Sequence, residues 1–211
     1  MKKNIRNKMS VGQFIKSTFN IIKSNLLDIV FISVLFAIPA ILIGRIGILS
    51  FLSIFCSGFS AIAIIKLVNS FARGTKLTWV ETIKESFKNP IFPLGVFIIQ
   101  TFVVSFGSGI FAPLGIVLQV FFILAMQIAV VEDSTVVNSI KRSFDLIKNN
   151  FLDVLLKQFV LVMILNLITM ALAMFLNQSI PAIIIFTLIL NIALSFNLVA
   201  GNVIYRDLST N

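Results

Sequence analysis

The chain has 211 residues, 58% of them hydrophobic and only 12% charged, with a mean hydropathy of +1.07. A soluble domain carries about 25% charged residues, so these side chains could not cover a water-facing surface. Several apolar runs approach or exceed the ~20 residues that cross a bilayer core. A soluble globular domain is therefore excluded. The pattern predicts an all-α polytopic membrane bundle of six transmembrane helices, one integral membrane domain over 1–211.

A net charge of +9 and a pI near 10.1 would raise nucleic-acid binding on a soluble protein. Here Lys and Arg fall between apolar runs, so the expected partner is a bilayer with anionic headgroups, and no nucleic acid. The single cysteine, Cys56, rules out an intramolecular disulfide and reads as a small packing residue. The chain has no histidine, which removes the commonest acid–base group and metal ligand at neutral pH.

The basic start, Met1 to Lys8, is like a signal-peptide n-region, but the first apolar run is longer than an h-region, so a retained helix is expected. Residues 10–24 place Val11, Phe14, Ile15, Thr18, Phe19 and Ile22 at helical spacing, with Gln13, Lys16, Asn20 and Lys23 opposite. This is the pattern of a helix lying in the membrane surface. Ser10 with Gln13 has the capping-box form that marks its start. The first spanning run covers about Leu26 to Gly44, with Pro39 inside it, and turns at Arg45 and Gly47. The second covers Ile48 to Val68, with Ser53, Ser57 and Ala61 forming a small-residue stripe for close packing and Lys66 near its end, placed to snorkel.

Thr78 with Glu81 is a second capping box, and it opens a second short amphipathic helix beside Trp79, the only tryptophan. The third run covers Ile91 to Gly107, with a turn at Gly109 and Pro113. The fourth covers Leu114 to Val131. Thr135 opens a third amphipathic helix ending at Asn149-Asn150. The fifth run covers Phe151 to Leu176. After a turn at 177–181, the sixth covers Ala182 to Ile204, and Tyr205, Arg206 and Asp207 return the chain to the interface.

One passage recurs three times. Ser10, Thr78 and Thr135 stand 68 and 57 residues apart, followed at the third helical position by Gln13, Glu81 and Asn138. Ile15-Lys16, Ile83-Lys84 and Ile140-Lys141 come next, then Thr18-Phe19, Ser86-Phe87 and Ser143-Phe144. Asn25 and Asp28 match Asn150 and Asp153, while the middle copy breaks off at Asn89-Pro90. The units, roughly 10–71, 78–131 and 135–206, each read as an interfacial helix plus a transmembrane hairpin. Two crossings per unit put all three amphipathic helices on one face. Of the basic residues Arg45 alone falls opposite, so both termini are expected in the cytoplasm.

No residue pattern calls for catalysis. The acidic residues fall at or beyond the cytoplasmic boundary, with no metal-ligand spacing and no phosphate loop. We expect no catalytic residues, cofactor or metal. Asp153 and Lys157, one turn apart, read either as a pair at the cytoplasmic mouth or as end charges paired near a helix start. The amides Gln100, Gln119, Gln127, Asn166, Asn191 and Asn197, with Thr169, read either as a polar pathway or as interhelical hydrogen bonds. Lys16, Lys84, Lys141 and Arg142 form a basic collar for anionic lipid or for a membrane or cytoplasmic protein partner.

The stretch Val130 to Phe151 resembles the membrane domain of bacterial glycerophosphoryl diester phosphodiesterases and related uncharacterised six-helix bacterial membrane proteins. Glu132, Arg142, Ser143, Phe144, Leu146 and Asn150 carry the likeness. The hydrolase domain of those enzymes is absent, so the resemblance implies the fold and not the catalysis. The expectation is a non-catalytic scaffold or regulatory partner module of a bacterial cytoplasmic membrane system. The alternatives are a small transporter or permease component for an amphiphilic or lipid-like solute, or an immunity protein against a membrane-active peptide.

Overall fold

The computed structural model describes residues 8–44, 52–174 and 180–209. The turns expected around Arg45–Gly47 and at 177–179 lie outside them. Among the described residues every regular element is helical: α1 (Val11–Ser24), α2 (Leu26–Gly44), α3 (Leu52–Ala72), α4 (Trp79–Ser86), α5 (Ile91–Ile110), α6 (Ala112–Phe122), α7 (Ala125–Val131), α8 (Val136–Lys148), α9 (Phe151–Met174) and α10 (Ile180–Ser209). Five spans are long and apolar enough to cross a membrane: α3, α5, α6 with α7, α9 and α10. The bent pair α1–α2 adds a sixth if it is one span.

The three short amphipathic helices begin where their caps demand. Ser10 and Thr78 accept from the backbone N–H groups of Gln13 and Glu81, and those side chains accept from the cap N–H in return. Thr135 is the N-cap of α8 but makes no side-chain cap bond; Asn138 is one methylene shorter than Gln13 and Glu81. In α1 the buried positions Phe14, Thr18, Ile21 and Ile22 follow helical periodicity. The helix ends at Asn25, whose Nδ2 donates to the Ile21 carbonyl at 2.9 Å, and the chain bends 76° into α2. Asn150 repeats the arrangement between α8 and α9, donating to the Leu146 carbonyl at 2.8 Å.

Several boundaries move from their expected places. Helix α5 runs on to Ile110, and Phe111 alone separates it from α6, so Pro113 belongs to the first turn of α6 rather than to the turn. Proline is at home there because the N–H it lacks has no helical partner anyway. The α5–α6 hairpin closes so tightly that a Cβ on Gly115 would fall 1.9 Å from Ser108 Oγ and 3.0 Å from its Cα. The fourth run breaks at Ile123–Leu124, which nothing in its composition marks. Helix α3 reaches Ala72, and a left-handed Gly74 (φ 78°) then turns the chain. Its small-residue stripe is used only in part: Ala61 is buried, but the closest approach is at Gly58, against Leu94 and Phe97 of α5.

The core gathers on α3, α7 and the C-terminal half of α10, and α5 is the least buried of the spans. Each short amphipathic helix packs mainly on elements other than the span that follows it. Helix α1 lies against α10 and α9, α4 against α3 and α2, and α8 against α7, α6 and α5. Polar locks fix each seat. The Met9 N–H donates to Asp207 Oδ1 at 3.3 Å. Lys66 Nζ donates to the Glu85 carbonyl at 2.6 Å, so this half-buried lysine caps the end of α4. Ser143 Oγ donates to the Phe121 carbonyl at 2.6 Å.

Around α4 the carboxyl of Glu81 is held below the ordinary glutamate range by hydrogen bonds from Thr78, its backbone N–H first and its hydroxyl second. A depressed carboxyl contributes its stability above the unfolded glutamate value of about 4.3 and loses it as pH falls through the folded value. Acidification below about pH 4.3 therefore loosens the first turn of α4. Trp79 reports it, since its ring stacks on Phe31 with centroids 5.8 Å apart. The expected result is an acid-induced shift in tryptophan emission that Glu81→Gln abolishes; a shift of the same size in both proteins would locate the titration elsewhere.

Candidate functional site

A predominantly apolar bundle must bring its polar side chains together or leave them unsatisfied, and two of the groups that result among the described residues hold expected site residues. The first lies between α5, α6, α7 and α10. Gln100, Gln119, Gln127 and Asn197 line one cavity of about 50 Å³ together with Phe97, Ile123, Met126 and Gly201. Gln127 Nε2 donates to the Leu198 carbonyl at 3.0 Å. Asn202 Nδ2 donates to Gln127 Oε1 at 3.1 Å. Gln158 of α9 donates to Asn197 Oδ1. Gly201 lets the helices approach closely here: a Cβ there would stand 3.1 Å from Gln127 Nε2.

Four of the six expected amides thus converge, and two do not. Asn191 turns back on its own helix, donating to the Thr187 carbonyl at 2.9 Å. Asn166 stands exposed on the outer face of α9, so it belongs to no interior path. Of its two expected uses only the interior pathway is removed by this placement; around Asn166 both the inner and the outer side of α9 are apolar, so the sequence carries no periodic signal of its inner face. Thr169 is buried but bonds to the Leu165 and Asn166 carbonyls of its own helix, both at 3.0 Å. Gln158 and Asn202 had the same signal as the other amides, a polar residue inside an apolar run, and belong with them.

The second group is ionic. Lys157 is 1% exposed, and its Nζ donates to Asp153 at 2.8 Å and to Asp207 at 2.9 Å. The expected pair is therefore a triad joining α9 to α10. Asp207 was not foreseen because helix α10 continues through Tyr205, Arg206 and Asp207 to Ser209 instead of ending near Ile204. That extra turn points Asp207 inward. Beside it, Tyr205 is buried and its hydroxyl donates to Glu132 Oε1 at 2.6 Å, while Arg142 Nη2 approaches the same oxygen at 3.2 Å.

The basic collar divides accordingly. Lys16, Lys84 and Lys141 are exposed, each on the outer side of its amphipathic helix. Arg142 differs from them in pairing with Glu132. The motif residues around it have structural contacts: Phe144 stacks on Phe121 with centroids 4.6 Å apart, and Ser143 and Asn150 bond to backbone carbonyls. Amides of this kind donate and accept hydrogen bonds without gaining or losing a proton at neutral pH. A cavity of about 50 Å³ exceeds the roughly 10–15 Å³ that one buried water needs. The chemistry available is hydrogen bonding to water or to a very small neutral group. No family model, curated protein or solved structure matches the chain.

Proposed function

We propose that this protein is a non-catalytic integral membrane module, a scaffold or regulatory partner in a bacterial cytoplasmic membrane, with six spans and both termini in the cytoplasm. In this reading the chain is three copies of an interfacial helix followed by a hairpin, closed into a ring. Equivalent positions support it. Phe14, Thr82 and Ser139 are all buried, as are Thr18, Ser86 and Ser143. Each interfacial helix rests on the hairpin before it, and α1 closes the circuit on α10 and α9. The resemblance to phosphodiesterase membrane domains fits a joint rather than an active site.

The observation that carries the reading is the division of polar groups. Interior amides and ions are largely bonded to one another, whereas Lys16, Lys84 and Lys141 remain exposed on the interfacial helices. Each exposed lysine near an anionic leaflet adds roughly 1 kcal/mol of attraction, and the same three charges are available to a partner's acidic surface. A second reading, passage of a small amphiphilic solute, draws on Gln100 and Gln119, which line the cavity from α5 and α6. Purification from native membranes in mild detergent separates the two. A stoichiometric partner that is lost from a triple Lys16→Gln, Lys84→Gln, Lys141→Gln protein is expected. No partner, together with solute flux in proteoliposomes that Gln100→Leu abolishes, would replace the scaffold by the permease.

A further inference from the structure

We propose that α9 is a dimer interface, on which a second copy of this chain pairs in parallel along Leu152, Leu156, Phe159, Met163, Asn166 and Met170. All six are exposed, and they follow each other at intervals of 4, 3, 4, 3 and 4 residues. That is the a/d repeat by which two helices stay in contact along their length. From Leu152 to Met170 the stripe rises about 27 Å at 1.5 Å per residue, close to the ~30 Å of a hydrocarbon core.

Apolarity alone would say only that this face meets lipid. Asn166 says more. It lies well inside the span, where no water offers hydrogen bonds, and among the described residues its side-chain amide has no partner; only its backbone carbonyl is used, by Thr169 Oγ1 at 3.0 Å. A polar group facing hydrocarbon is costly unless a neighbouring helix satisfies it.

The geometry points to a second copy as that neighbour. Every copy inserts in the same orientation, so two α9 helices that meet run parallel about an axis along the membrane normal. A residue on the seam then meets itself. A Lys, Arg, Asp or Glu there would face its own charge, whereas an amide carries both donor and acceptor and is complementary to itself. One Asn in an otherwise apolar seam is also the device that sets register and copy number in paired helices. Met163 and Met170, unbranched and adaptable, suit a surface that meets lipid or protein. The inference requires only that α9 spans the bilayer, and it is independent of the role proposed above.

Single-cysteine variants of the full chain in a Cys56→Ala background, reconstituted at high dilution into phosphatidylethanolamine–phosphatidylglycerol vesicles, test it. Phe159→Cys, Met163→Cys and Met170→Cys should cross-link to themselves, and Ile168→Cys and Leu172→Cys, also exposed, should not. Asn166→Leu should lower the dimer fraction at limiting concentration by about tenfold, and Asn166→Gln should restore most of it. These side chains face outward, so the variants should keep the native unfolding midpoint, which separates lost pairing from lost folding. A monomer in the bilayer overturns the proposal, as do cross-links that ignore the repeat or a dimer indifferent to Asn166→Leu. Cross-linking of the stripe in native membranes to a different protein, and not to itself, overturns it equally.

Discussion

Replacing Lys157 by Met should destabilise the folded protein by about 3 kcal/mol, because it removes the buried cation that two carboxylates share. The ammonium is 1% exposed and is held by two carboxylates, of which Asp207 is 10% and Asp153 29% exposed. Methionine fills nearly the same volume, so the packing loss is small and the effect isolates the charge. Asp207 suffers most, since it is the more deeply buried carboxylate; Asp153 lies in the first turn of α9, where the helix dipole favours an anion. Adding Asp207→Asn to Lys157→Met should therefore recover a large part of the loss. The Asn can still accept from the Met9 N–H, and so α1 keeps its hold on α10. The measurement is the thermal unfolding midpoint in detergent, with the single Trp79 as a local probe. Equal stability of Lys157→Met and the native chain would mean that the triad is solvated, and would remove it as the tie between α9 and α10.

That triad also shows where sequence reading stops. Asp153 and Lys157 stand four residues apart on one helix, so local spacing was enough to pair them. Asp207 is 50 residues away from Lys157, and its part depends on how far α10 continues, which no cap residue marks. The same division holds elsewhere. The starts of α1, α4 and α8 were legible because Ser10, Thr78 and Thr135 act through hydrogen bonds within a single turn or through backbone geometry alone. Their inward faces were legible because an amphipathic helix alternates polar and apolar sides. Inside the bilayer that constraint vanishes: both the core and the lipid side of α9 are apolar, and the run from Phe151 to Met174 does not say which way Asn166 points. The break at Ile123–Leu124 was hidden for a related reason. Its consequences are tertiary, with the Ile123 carbonyl 3.6 Å from a Cβ built on Gly201, and no Gly or Pro signals it in the chain.

For the amide cluster, Gln127→Leu should cost about 2 kcal/mol, more than the net worth of one hydrogen bond, because it strands its partners rather than only removing itself. Asn202 is 0% exposed and donates to Gln127 Oε1, while its own Oδ1 already lacks a partner among the described residues. Leucine in place of Gln127 thus leaves Asn202 with a buried Nδ2 that has lost its acceptor. The Leu198 carbonyl also loses the side-chain donor it shares at 3.0 Å. The double variant Gln127→Leu, Asn202→Leu removes both ends of the bond, and should be more stable than Gln127→Leu alone, since two apolar groups leave nothing unsatisfied. A double-mutant cycle read by thermal unfolding gives the coupling directly. It also distinguishes the two readings of the cavity. If the amides serve packing, stability follows the cycle while the partner interaction survives in every variant that folds. If they line a path for a solute, Gln127→Leu and the double variant should both lose transport even where the double variant regains its stability. The amides would then matter for the surface they present to the cavity, beyond the helices they join.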